Sequence, residues 1–146
     1  MDYQKEKMTH ISYCGSYCHT CDWFTGRIKK TAKKCLDMIK YYDGFKKWFE
    51  NKVDVDNLLS GLQILADTSI CSGCKTEAGQ QNDRCGIRQC CFGKGLNFCY
   101  ECKDFPCQTL KTNPGVMKFR TLENLKEMKE KGIKEWIDQQ WEKEME

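Results

Sequence analysis

At 146 residues the chain has the length of one domain and is long enough to bury a core without a partner. Its mean hydropathy is -0.72, and once the 12 cysteines are removed from the 40% hydrophobic fraction little aliphatic bulk is left. A formal charge of +3 is too small for the basic face of a nucleic-acid binder, and no apolar run approaches the ~20 residues of a membrane-spanning helix. The polar stretch Met1 to His10 is unlike a secretory signal. A cytoplasmic protein is therefore expected, with no membrane contact, and in that reducing compartment cysteines read as metal ligands or redox thiols in preference to disulfides.

A single domain over 1–146 is expected, divided into four zones. The first, 1–26, is a cysteine loop in which Cys14, Cys18 and Cys21 stand among Gly15, Ser16 and Thr20 without helical or strand periodicity. Over 27–68 the spacing predicts a helical hairpin. Ile28, Ala32, Cys35, Leu36, Ile39 and Tyr42 form one stripe, and Asp43-Gly44 stops it. Phe45, Trp48 and Phe49 suggest a further turn or two. A second helix starts near Asp54 or Asp56 and points Leu58, Leu59, Leu62 and Leu65 inward.

The third zone, 69–112, holds Cys71, Cys74, Cys85, Cys90, Cys91, Cys99, Cys102 and Cys107 but few large apolar residues. Ordering some forty residues costs about 1 to 2 kcal/mol each in backbone entropy. A structural zinc site supplies on the order of 10 to 16 kcal/mol toward folding, so a metal core is expected, irregular apart from a short hairpin or two. In the last zone, 113–146, Asn113-Pro114-Gly115 reads as a turn. After it come a helix carrying Leu122, Leu125 and Met128, closed by Gly132, and another carrying Ile133, Trp136, Ile137 and Trp141. The predicted class is mainly α: a small metal-stabilised protein with an irregular cysteine-rich centre between a helical hairpin and two C-terminal helices.

The foremost site candidate is Cys71-x2-Cys74-x10-Cys85-x4-Cys90. A tetrahedral ion takes four soft ligands, and a two-residue spacer lets one tight turn aim two sulfurs at a point. Gly73 lies inside that turn, where positive φ is useful. Lys75, Arg84, Arg88 and Lys94 are near enough in sequence to offset the net charge of about minus two on four thiolates and a divalent ion. Cys99-x2-Cys102-x4-Cys107 and Cys14-x3-Cys18-x2-Cys21 are further clusters, each one ligand short. Either they exchange ligands or each recruits an outside group such as His10, His19 or Cys91. Cys35, alone on an apolar stripe, reads as a packed thiol. The Cys14, Cys18, Cys21 spacing also matches the cluster motif of radical-SAM enzymes, which is set aside because such barrels run to ~250 residues.

The strings YCGSYCHTC, CSGC, CGIRQCCFGKGLNFCYECKDFPC and LENLKEMKEKGIKEW together resemble the bacterial and archaeal cysteine-rich family called domain of unknown function 3795. The likeness spans nearly the whole chain. It implies a ten-cysteine set, Cys14, Cys18, Cys21, Cys71, Cys74, Cys85, Cys90, Cys99, Cys102 and Cys107, expected to hold zinc, with Cys35 and Cys91 outside it. It implies no activity.

Three function classes compete. A closed four-thiolate zinc site stabilises without reacting, which suits a regulatory or interaction module whose partner is another protein. The basic run Arg27 to Lys34 reads as a solvated helix face, so nucleic acid is not the expected partner. Alternatively, the thiolates hold an iron-sulfur cluster for electron transfer or redox sensing. A thiol enzyme is the third class and is not favoured, because neither His10 nor His19 comes with a recognisable orienting carboxylate.

Overall fold

A computed structural model describes residues 1–80 and 84–145. The chain is mainly helical. In order it forms α1 (Tyr3–Thr9), a 3-10 turn (Cys18–Thr20), α2 (Arg27–Tyr41), α3 (Phe45–Phe49), α4 (Val55–Asp67), α5 (Glu77–Gln80), α6 (Gly86–Gly93), a second 3-10 turn (Cys99–Glu101), α7 (Gln108–Thr112), α8 (Pro114–Phe119), α9 (Thr121–Lys131) and α10 (Ile133–Met145). Its contacts divide it into two compact units, one of Met1–His19 with Ser72–Glu146 and one of Thr20–Cys71. Among the described residues no helix is long and apolar enough to cross a membrane.

In the Thr20–Cys71 unit, α2 packs on α4 as the stripe predicts. The Asp54 carboxylate accepts from the Asn57 backbone N–H at 3.1 Å and caps α4. Only Ala32 and Leu36 of α2 and Val55 and Ala66 of α4 are fully buried, while Leu65 and Tyr42 stay exposed. Two helices packed in one layer seal a narrow seam, so the flanks of each apolar stripe remain open to solvent.

The other unit is organised around Trp136, Ile137, Leu125, Phe98, Leu110 and Ile11, all fully buried. As the sequence predicts, α9 ends where Gly132 adopts φ +89° and donates its N–H to the Met128 carbonyl at 3.0 Å. Tyr3 ties α1 to α10 by donating its hydroxyl to Asp138 Oδ1 at 2.6 Å. One expectation is corrected here. Asn113-Pro114-Gly115 starts a helix instead of a turn, because Asn113 Oδ1 accepts from the N–H groups of Gly115 and Val116 and Pro114 takes the first helical position.

The centre is also less irregular than its composition suggests. No hairpin forms there among the described residues. Ile87 and Cys91, one turn apart on α6, both face the core, and the Lys94 and Leu96 N–H groups close the helix on the Cys90 and Cys91 carbonyls. Beyond it, Glu101 Oε2 accepts from the backbone of Asn97 at 2.7 Å and of Phe98 at 3.3 Å, which fixes the turn that carries Cys99. Local hydrogen bonds therefore order this stretch together with any metal it holds.

Candidate metal centre

The front loop is a tight return of the chain. Ile11 and Tyr17 form an antiparallel bridge, and the Cys18 N–H reaches the His10 carbonyl at 2.8 Å. Gly15 takes φ +91°, and a Cβ there would meet the Thr121 carbonyl oxygen at 2.7 Å and Leu125 at 2.9 Å, so the loop rests directly on α9. Asn124 Nδ2 holds it there by donating to the Gly15 carbonyl. The same loop meets the central thiols, because the Cys99 N–H donates to the Tyr13 carbonyl at 2.9 Å. Cys14 follows Tyr13 directly.

Cys91 is buried, and its Sγ lies 3.5 Å from Sγ of Cys99. The hydrogen bond between them lowers the Cys91 thiol and raises that of Cys99, with burial and the nearby charges of Cys91, Cys14 and Cys107 adding to the rise. Cys90, Cys91, Cys99, Cys102 and Cys107 line a single cavity of about 30 Å³ with Leu96, Phe105 and Leu110. That volume is roughly one water's share of the liquid, enough for an ion.

Cations surround these sulfurs. Lys94 Nζ donates to Cys102 Sγ at 3.6 Å, and its pKa is raised by the charges of Cys102 and Cys90. Arg88, itself buried, donates Nη2 to Cys74 Sγ at 3.6 Å. Lys75 lies 3.7 Å from the centroid of the Phe98 ring and donates to the Lys7 carbonyl at 3.1 Å. Burial lowers its pKa to about 8, against the opposing pull of Glu101, Cys74 and Cys91. Tyr13 beside it is raised, first by burial and then by the charge of Cys91. Two of the four cations named from the sequence, Arg88 and Lys94, thus donate to thiols, and Lys75 feels the charge of Cys74 and Cys91.

Cys18 is buried at the start of the first 3-10 turn, and Cys14 is half-buried, with Ser12 Oγ 3.3 Å from its sulfur. Cys85 and Cys107 are half-buried N-caps of α6 and α7. Cys74 follows Gly73, whose φ of +97° gives the tight turn expected at that glycine. Cys21 and Cys71 belong to the other unit, where the Cys21 carbonyl accepts from Thr25 and Cys71 is exposed. Cys35, in the Thr20–Cys71 unit, is half-buried and lines a groove with Ala32, Leu62 and Leu65. Within the unit that carries the cavity, and among the described residues, no three sulfurs lie within 4.8 Å of one another.

Two groups were left open or missed by sequence reasoning. Cys91 falls outside the ten-cysteine set and was named only as an outside ligand a cluster could recruit, yet its sulfur lies against that of Cys99, and its four-residue spacing from Ile87 on α6 was the available signal. Glu6 is the second: it is the orienting carboxylate that His10 and His19 were expected to lack, with Oε1 3.0 Å from His10 Nδ1 and Oε2 3.1 Å from His19 Nε2.

Fold and thiol arrangement together define a small, mainly helical, cysteine-rich protein. Residues 10–112 match the family described as Protein of unknown function (DUF3795), and the chain belongs to that family, in agreement with the resemblance carried by its cysteine strings. No curated protein and no solved structure matches the chain significantly.

Proposed function

We propose that this protein binds metal through cysteine thiolates, that the ions brace its fold, and that the braced fold presents a surface to another protein. The observation that carries the reading is the cavity lined by Cys90, Cys91, Cys99, Cys102 and Cys107, with Cys14 near enough to act on Cys99. Zinc is the ion favoured. With Zn–S bonds of ~2.3 Å, sulfurs on one tetrahedral ion lie roughly 3.8 Å apart, close to the 3.5 Å between Cys91 and Cys99. The ten cysteines of the sequence motif remain the ligand pool, with Cys91 added to it.

A cytoplasmic setting accompanies this reading, because all described cysteines are free thiols. The partner surface is sought on the Thr20–Cys71 unit, which exposes Met38, Tyr41, Tyr42 and Trp48, since exposed large apolar side chains on one unit suit a protein contact.

An iron-sulfur cluster is the second reading, favoured by the wider spacing of the other sulfurs. A polynuclear cluster takes its thiolates on separate irons and so accepts ligands farther apart than one zinc ion does. Purification without oxygen, a visible spectrum, and counts of zinc, iron and acid-labile sulfide per chain decide between them. A colourless protein with stoichiometric zinc supports the first reading, and a brown one with sulfide supports the second. A reduced, folded, metal-free protein overturns both.

A further inference from the structure

Away from the thiol cavity, three side chains that the cysteine chemistry does not use converge at the junction of α1 and the front loop. Glu6 and His10 stand four residues apart on α1 and its C-cap, so they share a helix face. His19 reaches the same carboxylate from the 3-10 turn. The nitrogens and oxygens concerned all lie within 4.8 Å of one another. His10 Nδ1 is 3.0 Å from Glu6 Oε1, and His19 Nε2 is 3.1 Å and 3.4 Å from the two carboxylate oxygens. The ring centroids are 4.5 Å apart at an interplanar angle of 43°.

From this geometry we propose a site for one divalent first-row transition ion, held by His10 Nδ1, His19 Nε2 and a Glu6 oxygen, separate from the thiolate centre. Ligands bonded at ~2.0 to 2.1 Å to one ion lie roughly 2.9 Å apart on an octahedron and 3.4 Å apart on a tetrahedron. The observed nitrogen-to-oxygen separations of 3.0 to 3.4 Å fall across that interval. Two imidazoles and a carboxylate select zinc or iron(II)-like ions over calcium and magnesium, which prefer oxygen alone.

The surroundings complete the site. Tyr17, buried, donates its hydroxyl to Glu6 Oε2 at 3.2 Å and so orients the carboxylate. The Trp141 ring stands 5.3 Å from the His19 ring as an apolar wall. Side-chain exposure of 22% for His10, 27% for His19 and 14% for Glu6 leaves one side open to solvent. With three protein ligands, the ion keeps a position for water or a small ligand.

Ion binding also requires a proton to move. Thr9 Oγ1 donates to the Lys5 carbonyl at 2.6 Å, so its contact with His10 Nδ1 at 3.0 Å is one in which the ring nitrogen donates. His10 therefore carries its proton on Nδ1 when the ion is absent and must free that nitrogen to bind one.

The test uses the full chain, isolated without oxygen and with its thiols reduced, titrated with zinc while long-range proton-nitrogen NMR reads the imidazoles. The expected result is that, once the cysteine sites are filled, one further equivalent brings both His10 Nδ1 and His19 Nε2 to metal-bound shifts, with His10 moving to the Nε2–H tautomer. Tyr17→Phe, which keeps the ring, is expected to weaken this response about tenfold, and Glu6→Gln by at least that much. Unmoved imidazole nitrogens at saturating zinc overturn the proposal, as does full zinc affinity in both variants. Cobalt titration keeps this result distinct from the thiolate reading: intense sulfur-to-cobalt charge-transfer bands report filling of cysteine sites, whereas the imidazole signals report this one.

Discussion

The sulfurs of Cys91 and Cys99 lie 3.5 Å apart, although Cys91 stands outside the cysteine pattern that marks the sequence. If the thiol cavity is the metal centre, Cys91→Ser should remove as much bound metal as Cys99→Ser. Cys35→Ala, in a groove of α2 and α4, should leave metal content unchanged and cost only packing energy. Metal counted per chain in the three variants checks this. Full metal retention in Cys91→Ser would reduce that residue to a core thiol.

Gly15 is where the front loop touches α9. An alanine there meets both a positive φ of +91° and a carbonyl oxygen at 2.7 Å. Gly15→Ala should therefore cost about 2 kcal/mol or more, measured by chemical denaturation. Because the Tyr13 carbonyl in the same loop receives the Cys99 N–H, the substitution should also lower metal affinity. A variant with unchanged stability would show that the loop yields without strain.

How far the sequence disclosed these relationships depends on their range. The Asp54 cap, the Gly132 stop, the Gly73 turn and the two terminal helices follow from residues a few positions apart, and each was legible. Asn113-Pro114 carried a local signal as well, but a turn and a helix start share those residues, and only the helix it opens distinguishes them. The approach of Cys91 to Cys99, by contrast, depends on how α6 seats Ile87 in the core. The meeting of Glu6 with His19, 13 positions apart in the chain, depends on the loop folding back over α1. The first leaves only the helical spacing of Ile87 and Cys91 to read, and the second leaves none.

Tyr3 and Asp138 join the two ends of one unit, and the bond carries a pH signature. The Tyr3 hydroxyl holds the Asp138 carboxyl below its ordinary value, and Lys134 adds to the effect. A lowered folded pKa gives stability that is complete above the ordinary carboxylate value of ~3.9 and lost as pH falls through the lower folded value. The Asp138 side chain keeps 39% of its surface exposed, so solvent screens the pair and the effect is small. Melting temperatures of the wild type and Tyr3→Phe should differ at neutral pH and converge under acid; a gap that widens on acidification contradicts this account.

Leu125 is fully buried and supports both the front loop and the core around Trp136. Leu125→Ala should cost about 2 to 5 kcal/mol, the range for large cavities in packed cores. The distinguishing measurement is metal content in the folded fraction, which should fall, since Gly15 loses the surface on which its loop rests. Destabilisation with undiminished metal would mean that the centre holds itself together without the loop.

Chelation separates bracing by metal from bracing by the core. The segment from Cys85 to Cys107 has Phe98 and Ile87 as its fully enclosed apolar anchors, together with local hydrogen bonds at Glu101. These are too few to order it firmly if thiolates must repel one another in the cavity. Stripping metal under reducing conditions should therefore quicken tryptic cleavage at Arg88, Lys94 and Lys103, and Cys74→Ser should do so in part. Cleavage at Lys29, Lys33 and Lys40 on α2 should not change, because that helix owes its seating to α4 and not to an ion. Equal acceleration at both sets of sites would mean the ion stabilises the whole chain globally, and none at either would mean that packing alone holds the centre.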